Sequence, residues 1–219
     1  MDDEAGAGAV GLARLMAEHR ACTRCADAGF IPQARPVFSG RFGQRIMLVG
    51  QAPGVVEHDI TRPFAGRAGR QLVRWMVRAG FADEADFRNR VYVTSTTTCF
   101  PGRRPDGSGD RRPTPAEIDL CAPWLDGVRR LLAPRLIIPV GGLAASRFLP
   151  RARLADLIGR TLAPSGVEVG DPHGAEPPLL LPLPHPSGQS RWLNDPAQQA
   201  LLATALERLR SLVNWAEAV

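Results

Sequence analysis

With 219 residues, 44% of them hydrophobic, and with 22 Gly and 20 Pro, the chain is long enough for one hydrophobic core and too short for two large domains. It has no apolar run of the roughly 20 residues that cross a bilayer, and the opening MDDEAGAGAV lacks the basic and apolar regions of a signal peptide. A soluble, intracellular protein with one domain over residues 1–219 is therefore expected. The net charge of +5 is carried on Arg alone, with no Lys anywhere. Guanidinium groups match phosphate oxygens, so a polyanion partner is admissible, although Arg-only usage also arises from plain compositional bias.

In chain order, a short amphipathic helix is predicted near Val10 to Arg20, followed by the pair Cys22-Thr23-Arg24-Cys25 and a loop from Ala28 to Gly43. A first strand covers Arg45 to Val49 and ends at Gly50. A helix over Ala68 to Ala79 carries Leu72, Trp75 and Met76 at helical spacing. The second strand is Arg90 to Thr94, then a helix at Pro115 to Leu132 and a third strand at Arg135 to Val140. Leu143 to Phe148 reads as a helix, and Leu179 to Leu183 as a fourth strand that Pro182 ends or kinks. The last helix, Pro196 to Trp215, has an apolar stripe of Leu201, Leu202, Leu206, Leu209 and Leu212. Strand and helix alternate. The implied fold is a three-layer α/β/α arrangement around a four-stranded, mostly parallel central sheet. Ligands of such sheets bind outside the carboxyl ends of the strands, where long Gly- and Pro-rich loops follow strands one, two and four.

The four cysteines, Cys22, Cys25, Cys99 and Cys121, admit several readings: a redox pair, a metal centre or chance. A thioredoxin-like CxxC belongs at a strand-to-helix junction, and this one follows a helix. As a metal centre, four thiolates would select zinc or iron–sulfur. Neither GxGxxG nor a Walker motif is present. Instead Gly50-Gln51-Ala52-Pro53-Gly54 forms a rigid turn that can pass close to a ligand. Phe64, between Pro63 and Ala65, can lie flat against a planar group. The loop His185-Pro186-Ser187-Gly188-Gln189-Ser190-Arg191 precedes Trp192.

Taken together, these segments resemble the uracil-DNA glycosylase superfamily, specifically its iron–sulfur branch. Members of that branch read GEAPG after the first strand, then an acidic stretch and PFVG-x-AG. VYITN-x-x-KC follows the second strand, then a further Cys on the next helix and a closing HPS. The chain has GQAPG at 50–54, RPFAGRAG at 62–69, VYVTSTTTC at 91–99, PTPAEIDLCAP at 113–123 and HPS at 185–187, in the same order. The resemblance implies a [4Fe-4S] cluster on the four cysteines, stapling loops to the core. It also implies base flipping from DNA and hydrolysis of an N-glycosidic bond by a monomer that uses no nucleotide cofactor and no membrane.

By the same resemblance, His185 would donate to the base O2 oxygen and Glu57 would orient water and counter the positive sugar. Phe64 would stack on the base, Ser95 would stand where the branch reads uracil with Asn, and Ser187 and Arg191 would contact substrate. Trp192 is a candidate wedge. Three departures stand out: Gln51 for Glu, Ser95 for Asn, and His58 for an acidic residue beside Glu57. Ala52 also lacks the Asp that follows GQ in the classical enzymes. A hydroxyl cannot reproduce an amide's paired donor and acceptor. The preferred base is thus open between uracil and another deaminated or damaged base. With no Lys to form a Schiff base, an abasic site should remain uncut. A non-catalytic binder of damaged or single-stranded DNA is the rival, and an electron carrier is a weaker one. Between Cys99 and Cys121 lies an insertion with Arg103, Arg104, Arg111 and Arg112, either a solvated loop or a set of phosphate contacts.

Overall fold

A computed structural model describes residues 2–149, 153–187 and 194–218. Strands β1 (Ile46–Gly50), β2 (Val91–Ser95), β3 (Leu136–Pro139) and β4 (Leu179–Leu180) form one sheet in the order β2-β1-β3-β4. All three pairings are parallel, with Ile46 opposite Val91 and Leu136, and Gly50 opposite Ser95. Leu48 and Val93 face one side, Met47 and Tyr92 the other, and both sides are dry. A strand buried on both faces must be apolar at every position, which is why these runs lack the alternation of a half-exposed strand.

One layer is made by α4 (Arg67–Arg78), α5 (Glu84–Arg90) and α9 (Pro196–Glu217), through Trp75, Phe87, Leu206 and Leu209. The other is made by α1 (Asp2–Arg20), α6 (Pro115–Leu132) and α7 (Gly142–Phe148), through Leu12, Leu125, Val128 and Ala145. Short helices α2 (Arg24–Asp27), α3 (Val55–Ile60) and α8 (Leu154–Leu157) lie in the connections. The three-layer α/β/α reading is thus borne out. No helix among the described residues is long and apolar enough to cross a membrane.

The differences from the sequence reading have local causes. Helix α1 begins at Asp2 rather than Val10. The stretch before Val10 has no proline to stop propagation, and Gly8 accommodates the Phe42 ring, which a Cβ there would approach to 2.8 Å. Helix α5 was not foreseen; Asp83 caps it by accepting the Asp86 N–H at 2.8 Å. The loop after β1 is interrupted by α3. β4 is only two residues long, yet Leu181 and Leu183 still donate to the Ile137 and Pro139 carbonyls at 3.0 and 2.9 Å. Pro182 falls between these donors on an edge strand, where its missing N–H costs no ladder bond.

The insertion after Cys99 is ordered as a small hairpin, with Arg103 bridged to Asp110 and the Arg104 N–H bonded to the Gly109 carbonyl at 2.8 Å. Here Arg111, which the sequence leaves open between a solvated loop and a phosphate contact, has another task. Its two terminal nitrogens each lie 2.7 Å from an oxygen of Glu117, a carboxylate only 3% exposed at the start of α6, and one also reaches the Phe30 carbonyl. Arg103, Arg104 and Arg112 remain exposed. Burial pushes the Glu117 carboxyl up, but hydrogen bonds from Arg111 and Thr114 outweigh it and hold it below its ordinary value. The stabilisation is therefore present above the ordinary Glu value and is lost as pH falls through the lowered one. Arg111→Ala strands this carboxylate and should cost about 3 kcal/mol in urea unfolding. Arg112→Ala should change stability by less than ~0.5 kcal/mol, and equal losses for the two would contradict this account.

Candidate active site and cysteine centre

The carboxyl ends of β1 and β2 are stitched together by backbone. The Gly50 carbonyl accepts both the N–H and the hydroxyl of Thr96, at 2.9 and 3.1 Å, and the Thr97 N–H reaches the Gln51 carbonyl at 3.2 Å. Gly50 is needed for its missing side chain: a Cβ there would lie 2.8 Å from Phe64 Cζ and 3.2 Å from Ser95 Oγ. Three predicted site residues, Gly50, Phe64 and Ser95, therefore converge on one spot. Pro53 is buried behind the turn, while Gln51 and Ala52 keep partial exposure.

Phe64 adopts φ +52°, a left-handed conformation unusual for a bulky residue. Arg88 of α5 donates to the carbonyls of Pro63 at 3.0 Å and Phe64 at 3.3 Å, and its Nε meets Glu84 at 2.8 Å. Sequence reasoning missed Arg88; only the fold brings a helix 24 residues later under this turn. Gly69 of α4 presses on the same backbone, and a Cβ there would fall 1.8 Å from the Phe64 carbonyl oxygen. The aromatic ring is held from below by contacts that leave its backbone little freedom.

Glu57 lies in α3. Its carboxylate accepts the Gly54 N–H at 3.1 Å and the Gly66 N–H at 2.8 Å, tying the 50–54 turn to the 62–66 turn. Beside it stands Asp110 of the hairpin: a Cβ on Gly54 would be 2.9 Å from both Asp110 Oδ2 and Glu57 Oε2. Asp110 accepts the Val55 N–H. Burial pushes its carboxyl up, opposed by Arg103 and reinforced by Glu57. No sequence signal separates Asp110 from Asp106, which stays fully on the surface at the hairpin tip.

His185 follows β4 on the same carboxyl edge, next to Gly141 at the end of β3. Gly141 has φ +86°, and a Cβ there would approach the imidazole to 3.3 Å. The ring Nδ1 accepts the Ser187 backbone N–H at 3.3 Å, which leaves the proton of the neutral ring on Nε2. Burial pushes the imidazole below its ordinary value, so it is neutral at pH 7. Arg191 and Trp192 lie outside the described residues.

The four cysteines line one cavity, with Thr98, Leu120 and Trp124. Cys22 follows α1, Cys25 is in α2, Cys99 follows β2 and Cys121 is in α6. None is in a disulfide. Among the described residues, no group of three or more Cys, His, Asp or Glu is placed to hold a metal ion. A four-iron cluster makes a different demand, because each thiolate binds its own iron at a separate corner. The donor set fits that demand: four soft ligands around one cavity, with hydrogen-bond donors already aimed at the sulfurs. Trp124 Nε1–H meets Cys22 Sγ at 3.3 Å, and the Thr98 hydroxyl lies 3.6 Å from Cys121 Sγ. The backbone N–H groups of Thr98 and Arg35 point at Cys121 and Cys99. Burial pushes the Cys25 and Cys99 thiols up to about 11 and about 12, each reinforced by neighbouring cysteines. The Arg35 guanidinium then bonds the His58 and Asp59 carbonyls at 3.1 and 3.4 Å, joining the cysteine loops to α3.

Fold and site together define an α/β protein whose loops at the carboxyl edge of a parallel sheet bring Gly50, Phe64 and Ser95 together and carry His185. Residues 38–210 match the model of the Uracil DNA glycosylase superfamily, and the chain belongs to that superfamily. It is similar to the Type-4 uracil-DNA glycosylase of Pyrobaculum aerophilum, 31% identical over 128 residues, or 58% of this chain and 59% of that one. The Type-4 uracil-DNA glycosylase of Thermotoga maritima is 32% identical over 113 residues, 52% and 53% of the two chains. The Type-5 uracil-DNA glycosylase of Mycobacterium tuberculosis is 37% identical over 112 residues, 46% and 39% of the two. The chain spans about half the length of the curated Type-4 relatives it matches.

The two glycines around Phe64 should behave differently when changed to Ala. In Gly50→Ala the new methyl meets the far end of the Phe64 ring and the Ser95 hydroxyl, side-chain atoms that can shift, so the protein should fold with a loss under about 1 kcal/mol. Gly69→Ala drives a methyl into a backbone carbonyl and should cost about 3 kcal/mol. Thermal unfolding of both variants checks the contrast, and a Gly69→Ala variant as stable as its parent would refute it.

Proposed function

We propose that this chain hydrolyses the N-glycosidic bond of uracil, or of a related deaminated or damaged base, in DNA and leaves an abasic site. Membership of the superfamily supports the reaction class. The observation that carries the residue assignment is the hydrogen bond from the Ser187 N–H to His185 Nδ1, because it reserves Nε2–H for substrate.

Flipping a base out of the stack costs a few kcal/mol, which the pocket must recover. Phe64 offers a stacking face, Gly50 leaves room for that ring beside Ser95, and Ser95 offers one hydroxyl to the base edge. When the bond to C1′ breaks, its electron pair leaves with the base and charge collects on O2. A neutral imidazole N–H aimed at that oxygen is worth most there, in a desolvated site. The carboxylates of Glu57 and Asp110 oppose the positive charge left on the sugar. Water then adds to C1′, and the proton it gives up ends, through solvent, on the departed base anion. Strand cleavage through a Schiff base is not expected from a chain without Lys. Exposed Arg103, Arg104 and Arg112 would meet backbone phosphates.

We also propose that Cys22, Cys25, Cys99 and Cys121 hold a [4Fe-4S] cluster. When bound it would supply cross-linking and local charge, since hydrolysis transfers no electrons. Through Arg35 and the hairpin it would fix α3 and its carboxylates. Protein purified without oxygen should be brown and contain about four irons per chain. Stoichiometric zinc without iron, from iron-replete cells, would exclude the cluster.

The deciding experiment is single-turnover cleavage on DNA carrying a panel of deaminated and damaged bases. His185→Ala should slow cleavage about a hundredfold, roughly 3 kcal/mol, with DNA affinity nearly unchanged. Because burial lowers the His185 pKa, the acid limb of the parent rate should have its midpoint below the ordinary imidazole value near 6.5. Below that value the unfolded chain binds a proton that the folded site refuses, so this residue reduces stability as pH falls. A parent that binds DNA yet cleaves no base in the panel would overturn the reading.

A further inference from the structure

His19, at the end of α1, is 3% exposed and takes no part in the chemistry above. Its ring is stacked between Phe38 and Trp124, with centroids 4.5 and 4.7 Å away and planes within 13° and 5° of parallel. Arg20 covers the outer face of Phe38 and Arg24 that of Trp124. Nε2 lies 2.8 Å from the Thr98 hydroxyl, and Nδ1 is buried with no hydrogen-bond partner among the described residues. The same hydroxyl is 3.6 Å from Cys121 Sγ. Two rings and two cations thus immobilise an imidazole whose one polar contact is a hydroxyl that touches a cysteine sulfur.

We propose that His19 is a positioning residue of the cysteine centre, holding the Thr98 hydroxyl as a donor to Cys121 Sγ and thereby raising the cluster's reduction potential and slowing its loss. The inference rests on the reading that a cluster binds there. A ligated thiolate carries no proton and can only accept, so the single hydroxyl proton of Thr98 goes to sulfur. The oxygen lone pair then accepts from His19 Nε2–H, which puts the bare lone pair on Nδ1, the atom that has no partner. Burial first, then Arg20 and Arg24, push this imidazole down to about 3, in keeping with the neutral ring that the arrangement needs. A hydroxyl fixed in this way withdraws charge from one sulfur, as Trp124 does from Cys22, and hydrogen bonds to ligand sulfurs set cluster potentials.

The test compares the loaded parent with His19→Phe, His19→Gln, Thr98→Val, Thr98→Ser and the double variant His19→Phe/Thr98→Val. The readouts are iron content, reduction potential by spectroelectrochemistry and bleaching rate in air. Thr98→Val keeps the shape and removes the hydroxyl. It should lower the potential and speed bleaching about tenfold. His19→Phe keeps an aromatic ring in the stack and should move both quantities the same way. Because both act through one bond, the double variant should match Thr98→Val rather than add to it. Thr98→Ser and His19→Gln, which keep donors, should return toward the parent. Cluster loss in the Val and Phe variants with retention in the Ser and Gln variants counts equally in favour. An iron-loaded parent whose variants share its potential and bleaching rate overturns this inference alone. A parent without iron overturns the cluster reading and the inference with it.

Discussion

Burial of β1 between two apolar layers is the constraint from which the site follows. Ile46, Met47, Leu48 and Val49 are all fully covered, alternate residues going to opposite cores. A strand with no solvent-facing side has no room for polar function along its length, so the first place for chemistry is where it ends. Gly50 is that end. Its carbonyl takes two bonds from Thr96, and its missing Cβ leaves space for Phe64 and Ser95. The parallel order of the sheet then brings the ends of all four strands to one edge, so His185, more than a hundred residues away, shares that edge with Gly50.

The loops at this edge are braced by partly buried charge as well as by backbone hydrogen bonds. Glu57 joins two glycine turns, Arg88 clamps the two carbonyls around Phe64, and Arg111 locks the hairpin to Glu117. The first two braces reach from a helix to a turn, and the third ties the hairpin to the start of α6. The residues at this edge can therefore be small or strained, as Gly50 and Phe64 are, because the surroundings determine their geometry.

The cysteine cavity belongs to the same bracing system. It gathers α1, α2, the loop after β2 and α6, and Arg35 carries the connection from the Cys99 loop to the last turn of α3. The cysteine cavity and the helix that carries Glu57 are thus joined by a short path of hydrogen bonds. The hairpin adds a second path, since Arg111 anchors it near Phe30 while Asp110 reaches the start of α3. An insertion that the sequence leaves open between a solvated loop and a set of phosphate contacts is a strut between the cysteine loops and α3.

The sequence alone determined the parts written in local patterns. Continuous apolar runs gave the strands, helical spacing gave α4, α6 and α9, and the order of short motifs pointed to the superfamily and to Gly50, Phe64, Ser95 and His185. Capping and propagation at α5 and α1 were legible only weakly, because a two-turn helix leaves little periodicity. Tertiary structure decided what depends on distant partners. Arg88, Asp110, Arg35 and His19 look like any other Arg, Asp or His in the chain, and only packing brings them to Phe64, Val55, Cys99 and Thr98. The same holds for Arg111: its charge suggested DNA, and the buried Glu117 beside it gave it a structural role. Type and spacing reveal a side chain's capacity for chemistry. The fold chooses which partner that capacity meets, since that partner is set by contacts between residues far apart in the chain.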